Sequence, residues 1–208
     1  RSMPKPGFGK PAITVSPPGR CSMPWRPNSF FKPGSKARTM PPLPSPLPDA
    51  EIQCRQLAEQ IRPHLHRQPA LIGIFSGGAW IAGRLKELLG LPEDIGLIDV
   101  SFYRDDFAAK GLHPQVKPTV IPFTVEGRHL ILVDDVLYTG RTTRAALNEL
   151  FDYGRPASVA LAVLADRGGR ELPIGAAYCV WDVSLSDGES LELSKRDDGR
   201  LIWRLANA

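Results

Sequence analysis

The sequence predicts an α/β fold, a mostly parallel sheet flanked by helices and carried on residues 49–208. Three observations point there. Short, continuous apolar runs recur, as in strands buried on both faces. Runs with helical spacing separate them, and strands alternating with helices pack as a parallel sheet covered on both sides. The most informative run, LILVDD, ends in two aspartates, and a loop of hydroxyls with one glycine follows at once.

Each element has its own signal. AEIQCRQLAEQIRPHL (50–65) reads as a helix with Asp49 as N-cap and with Ile52, Leu57, Ile61 and Leu65 near one face. ALIGIF (70–75) is the first strand, and AWIAGRLKELLG (79–90) is a helix stopped by Gly90. IGLIDVSFY (95–103) is the second strand, while QVKPTVIPF and EGRHLIL look like an inserted flexible hairpin. LILVDD (130–135) is the third strand, and RTTRAALNELFDYG (141–154) is its helix, with Gly154 as C-cap. ASVALAVLAD (157–166) and AAYCVW (176–181) are the fourth and fifth strands. SLELSKRDDGRLIWRL (190–205) alternates around an Asp-Gly turn and predicts a β-hairpin.

The composition divides the chain. Residues 1–48 hold 13 of the 21 prolines, eight Lys/Arg and no acid, so this stretch cannot build a core and reads as a disordered, basic extension. Three readings of it stand: a solvated extension, an arm for RNA or another polyanion, or a targeting peptide. Residues 49–208 carry 18 basic and 22 acidic side chains, a net charge of −4, so the folded part is not a strongly basic nucleic-acid binder by net charge. No run approaches the ~18 consecutive apolar residues of a membrane span, so no membrane partner is expected. Cys21, Cys54 and Cys179 are odd in number and widely spaced, which fits a reducing cytoplasm rather than a disulfide framework or a zinc site.

The aspartates carry the chemistry. Ligands of open α/β sheets lie beyond the carboxyl ends of the strands, where Asp134 and Asp135 are expected as the chain turns. The following loop, Val136, Leu137, Tyr138, Thr139, Gly140, Arg141 and Thr142, opens a helix whose first N–H groups suit a phosphate. Gly140 permits close approach of the backbone, and Thr139 and Thr142 add hydroxyl donors. Carboxylates do not bind phosphate but accept short, charge-assisted bonds from hydroxyls. A ribose 5-phosphate offers both kinds of group, and negative charge near C1 stabilises an oxocarbenium-like transition state. An ATPase strand of this pattern would need a G-x-x-x-x-G-K-[ST] loop, which is absent. A response-regulator acid pair would give the hydroxyl-and-glycine loop no role.

LILVDDVLYTGRT resembles the phosphoribosyl-pyrophosphate (PRPP) signature of the type I phosphoribosyltransferases, although Tyr138 replaces the smaller residue usual there. With DVSFYRDDF (99–107) and LAVLADRGGRELPIGAAY (161–178), it resembles one branch, the bifunctional pyrimidine-operon regulators and uracil phosphoribosyltransferases, over roughly residues 49–205. The resemblance implies a type I phosphoribosyltransferase fold with a small hood, and conversion of uracil and PRPP to UMP and diphosphate with Mg²⁺. It implies ribose binding by Asp134 and Asp135 and 5-phosphate binding by Thr139–Thr142. It also implies a catalytic mobile loop beginning at Arg104 and Asp105, and a base site under the hood at Asp166 and Arg167, with Asp166 as the metal ligand. A homo-oligomer and binding to a leader RNA are further implications. One departure stands out: the family's Thr-Arg-Gly diphosphate loop reads Ser76-Gly77-Gly78 here. The lost guanidinium predicts weak transfer that Gly77→Arg would raise, and it keeps open a nucleotide-sensing regulator with little catalysis, or transfer to another base.

Overall fold

The structure, a computed structural model, describes residues 43, 44, 46–100, 118–186 and 188–207. The described residues all fall in one compact unit, Thr39–Ala208. Leu43 and Leu47 already pack on its core, so contact with the domain starts upstream of the expected boundary at 49.

Helix α1 (Ala50–Ile61) starts where expected, with the Asp49 carboxylate accepting from the N–H groups of Glu51 and Ile52. Pro63 has no N–H to continue the α-helical ladder, and the chain tightens into a 3₁₀ segment, Arg62–Arg67. Strand β1 (Ala70–Ile74), helix α2 (Gly77–Leu89) and strand β2 (Gly96–Ile98) follow. Gly90 ends α2 in the left-handed conformation, at φ 64°. The second strand is shorter than expected, and what was expected of 101–103 lies outside the described residues. The inserted hairpin is not found among the described residues. Val120 makes one antiparallel bridge to Leu97, and EGRHLIL runs into strand β3 (His129–Leu137). Helix α3 (Arg141–Asp152), strand β4 (Ser158–Asp166) and strand β5 (Tyr178–Asp182) complete the main layer. Strands β6 (Glu189–Lys195) and β7 (Leu201–Asn207) form the expected antiparallel hairpin.

The sheet has the order β2-β1-β3-β4-β5, and all its pairings are parallel. On one face, α1, α2 and the β6–β7 hairpin enclose Leu57, Ile61, Ile81, Leu85, Leu193 and Trp203. On the other, α3 and the segment around Val125 cover Ile72, Leu130 and Leu132. The buried face of α1 is Ala50, Gln53, Cys54, Leu57, Ala58 and Ile61, whereas Ile52, expected on it, is exposed. Gln53 is tolerated inside because its Oε1 accepts from Trp203 Nε1 at 2.6 Å. Trp203 also meets Trp181 edge-on, with centroids 6.1 Å apart.

Burial controls both described cysteines. It pushes the Cys54 thiol up from 9.0 to about 12, with Glu51 adding to the rise, and the Cys179 thiol up to about 11. A raised pKa disfavours the thiolate, the reactive form. At pH 8, alkylation of Cys54 in the native protein is expected to be at least about 10³-fold slower than in the urea-unfolded chain. Peptide mapping after iodoacetamide labelling measures this, and equal labelling in both states would contradict the packing.

Candidate active site

Strand order places the site. From β1 the chain proceeds through α2 to β2 on one side, and from β3 through α3 to β4 on the other. The crevice beyond the carboxyl ends of β1 and β3 is therefore the topological switch point where such sheets hold ligands. Two segments meet there: Phe75–Gly78, which opens α2, and Asp134–Thr142, which ends β3 and opens α3.

The carboxylates lie inside β3 rather than at its end, since the strand runs on to Leu137. Asp134 is 4% exposed and Asp135 6%. Alternation puts Ile131 and Val133 on the α1/α2 face and Leu130 and Leu132 on the α3 face, but beyond Asp134 the phase slips. Val136 packs with the first group and Leu137 with the second. The slip coincides with side chains taking main-chain donors. Asp134 Oδ1 accepts from Asp135 N, and Asp135 Oδ1 from Val136 N, both at 3.0 Å. The side chains thus fix the local strand path that carries them.

Gly77 and Gly78 let α2 begin against this strand. A Cβ on Gly77 would lie 2.4 Å from Asp135 Oδ2 and 2.8 Å from its Cβ. A Cβ on Gly78 would lie 2.1 Å from the Val133 carbonyl oxygen. The glycines of Ser76-Gly77-Gly78 are therefore contact residues of β3, and α2 starts at Gly77, two residues earlier than its sequence pattern indicated. This corrects the expectation that Gly77→Arg would add a productive guanidinium, because the first atom of that side chain already overlaps Asp135.

The loop after β3 turns at Gly140, which caps α3 at φ 92°. Thr139 is buried, and its Oγ1 accepts from Arg141 N at 3.3 Å. Arg141, at the first position of α3, pairs with Glu171 at 2.6 Å. Tyr138 is 39% exposed, with the Arg167 guanidinium stacked 3.9 Å above its ring centroid.

Asp166 and Arg167 stand at the end of β4, beside this loop. Asp166 Oδ2 pairs with Arg170 at 2.5 Å, and its Oδ1 accepts from Gly168 N at 2.9 Å. Arg167 also donates to the Glu189 carbonyl at 3.4 Å, which ties the loop to β6. Arg104 and Asp105 lie outside the described residues. Arg170 escaped sequence reasoning. Its guanidinium reaches the carbonyls of Tyr138 (2.6 Å), Gly168 (3.0 Å), Ile174 (3.0 Å) and Leu137 (3.4 Å) as well as Asp166. Its partners are mostly main-chain oxygens, which leave no mark in sequence.

Among the described residues no three His, Cys, Asp or Glu side chains gather as a metal site. Mg²⁺ does not need such a cage, since it is commonly held by one or two carboxylates and by the substrate's own phosphates. The buried Asp134–Asp135 pair fits that role. Asp166, expected as the metal ligand, already accepts from two donors.

Residues 46–187 match the phosphoribosyl transferase domain family, so the chain belongs to the type I phosphoribosyltransferases. Its relatives narrow the branch. It is 51% identical over 152 residues to the bifunctional protein PyrR of Pseudomonas syringae pv. tomato, covering 71% of this chain and 89% of the relative. Against the bifunctional protein PyrR of Ralstonia nicotianae the identity is 54% over 155 residues, covering 73% and 88%. Its place in the family is with PyrR. Among solved structures, the hypoxanthine phosphoribosyl transferase of Trypanosoma cruzi superposes with a TM-score of 0.51 at 26% identity, over 65% of this chain and 74% of that one.

Proposed function

We infer that this protein transfers the 5-phosphoribosyl group of PRPP to uracil, giving UMP and diphosphate, and regulates expression of pyrimidine biosynthetic genes. The observation that carries the reading is the buried Asp134–Asp135 pair at the switch point of a sheet whose relatives are bifunctional PyrR proteins. In this reading the carboxylates accept from the ribose 2′- and 3′-hydroxyls. The main-chain N–H groups of Thr139–Thr142, with the two threonine hydroxyls, hold the 5-phosphate at the start of α3. Ser76-Gly77-Gly78 offers main-chain donors to the diphosphate. The aspartates' negative charge stabilises the positive charge that develops at C1 as the diphosphate departs. Mg²⁺, when bound through the substrate, neutralises charge on the leaving diphosphate. Arg104 and Asp105 begin a loop that excludes water, and Asp166 and Arg167 flank the base.

The glycine pair packs against β3, and a nucleotide-sensing regulator with little catalysis stays the second reading, carried by the guanidinium that Ser76-Gly77-Gly78 lacks. PRPP consumption measured in parallel with uracil, hypoxanthine, guanine and orotate tests the reading. Turnover with uracil alone is expected, and turnover with another base but not uracil would overturn the assignment. The regulatory half predicts retention of a pyrimidine-operon leader RNA at low salt, with affinity falling steeply as salt rises. We propose that it acts in the cytoplasm, where such substrates and a transcript would be met, as a homo-oligomer. Among the described residues, no helix is long and apolar enough to cross a membrane.

A further inference from the structure

We propose that Arg170 is a positioning residue that sets the phosphate-binding backbone of the Tyr138–Gly140 turn, a role that rests on the phosphoribosyl reading above. Three successive carbonyls of this turn are held by the segment after β4. The Leu137 oxygen accepts from Arg167 N at 3.0 Å and from the Arg170 guanidinium at 3.4 Å. The Tyr138 oxygen accepts from the same Arg170 nitrogen at 2.6 Å. The Thr139 oxygen accepts from Glu171 N at 3.0 Å and Leu172 N at 3.2 Å.

A trans peptide unit is planar, with its N–H opposed to its C=O. Pulling these oxygens toward the 167–172 segment therefore turns the N–H groups of Tyr138, Thr139 and Gly140 away from it. Successive N–H groups turned the same way form an anion-binding concavity that continues into the first turn of α3. The outer two carbonyls also accept from main-chain N–H groups, whereas the middle one, that of Tyr138, takes its short contact from the Arg170 side chain, so Arg170 sets the orientation of the Thr139 N–H.

Arg170 is itself fixed. Asp166 Oδ2 grips it at 2.5 Å, and the Ile174 and Gly168 carbonyls take further N–H groups at 3.0 Å. A planar guanidinium can serve five oxygens spread around it, whereas a lysine ammonium cannot span them. The assembly gives the loop its shape before any ligand arrives, and binding then loses less conformational freedom.

The test compares wild type, Arg170→Lys and Arg170→Gln. Phosphate contacts are made in ground and transition states alike, so their loss raises KM and spares kcat. Both variants are expected to raise KM for PRPP by about ten- to hundred-fold, with kcat within about threefold and KM for uracil unmoved. Calorimetric affinity for ribose 5-phosphate should weaken in parallel. Amide exchange at residues 138–141 should accelerate in Arg170→Lys while exchange in α1 does not. A merely structural role would lower the active fraction and apparent kcat and leave KM alone. Wild-type affinity for ribose 5-phosphate in Arg170→Lys, or unchanged exchange at 138–141, overturns the proposal. A wild-type protein that binds neither PRPP nor ribose 5-phosphate would instead sink the functional reading itself.

Discussion

Gly77→Arg should weaken phosphoribosyl transfer about 100-fold or more, not improve it. The new Cβ would sit 2.4 Å from Asp135 Oδ2, 2.6 Å from Cγ and 2.8 Å from Cβ. Because Asp135 Cβ is itself among the overlapped atoms, rotating the carboxylate cannot clear the space. Either Asp135 leaves its place or the start of α2 lifts from β3. Overpacking of this kind costs about 1–3 kcal/mol even where the surroundings relax. Here the relaxing group would be the one that holds the ribose. A fall in kcat/KM of about 100-fold or more is expected, on the scale that misplacement by ~1 Å produces. Gly77→Ala adds only the methyl group and should lose activity in the same direction. Steady-state kinetics on both variants, with a thermal melt to show that each is folded, decides the matter. A gain with Gly77→Arg would mean that the backbone here is far more yielding than the close contact implies.

Neutralising the acid pair should have an effect at least as large, and its signature should be the opposite of that expected for Arg170. Asp134→Asn and Asp135→Asn keep shape and burial but remove charge. A hydrogen bond to a charged group contributes about 1.5–3 kcal/mol, and removing electrostatic support from a developing charge costs about 10²–10³ in rate. The double variant is expected to lose about 10³-fold or more in kcat, because positive charge at C1 exists only in the transition state. A thermal melt run alongside shows that the variants are folded, because asparagine keeps an oxygen to accept from the same main-chain N–H groups. Lower activity in a folded variant marks a functional pair, and a double variant that turns over normally would refute the ribose assignment.

What the sequence made legible was periodic or chemical. Continuous apolar runs identified the strands, Asp49 and Gly90 marked helix ends, and the Asp-Asp-to-threonine stretch located the site. What it hid depended on tertiary approach. Ile52 looked like a core residue, but the packed stripe runs through Gln53, whose amide is paired with Trp203, 150 residues away. Ser76-Gly77-Gly78 looked like a damaged diphosphate loop, because the carboxylate against Gly77 is nearly sixty residues distant in sequence. In EGRHLIL the strand β3 begins at His129, one residue before the apolar run, because His129 already pairs with Ser158 of β4, which no local pattern reports. Arg170 stayed invisible for a related reason: an arginine bound to carbonyls has partners without sequence identity.

The same long-range closure has a kinetic consequence. Glu51 Oε1 accepts from Leu201 N at 2.9 Å, Asp49 pairs with Arg200 at 3.2 Å, and Arg84 donates to the Gly199 carbonyl at 2.8 Å. As the chain leaves the ribosome, the apolar stripe of α1 emerges before the elements that pack on it, first α2, then β4 and β5, and last the β6–β7 hairpin. Such distant contacts slow folding, since a long loop must close before they form. Until the β6–β7 hairpin is made, the part of the α1 stripe that it covers stays open, and the nascent chain offers that apolar surface to chaperones in the interval.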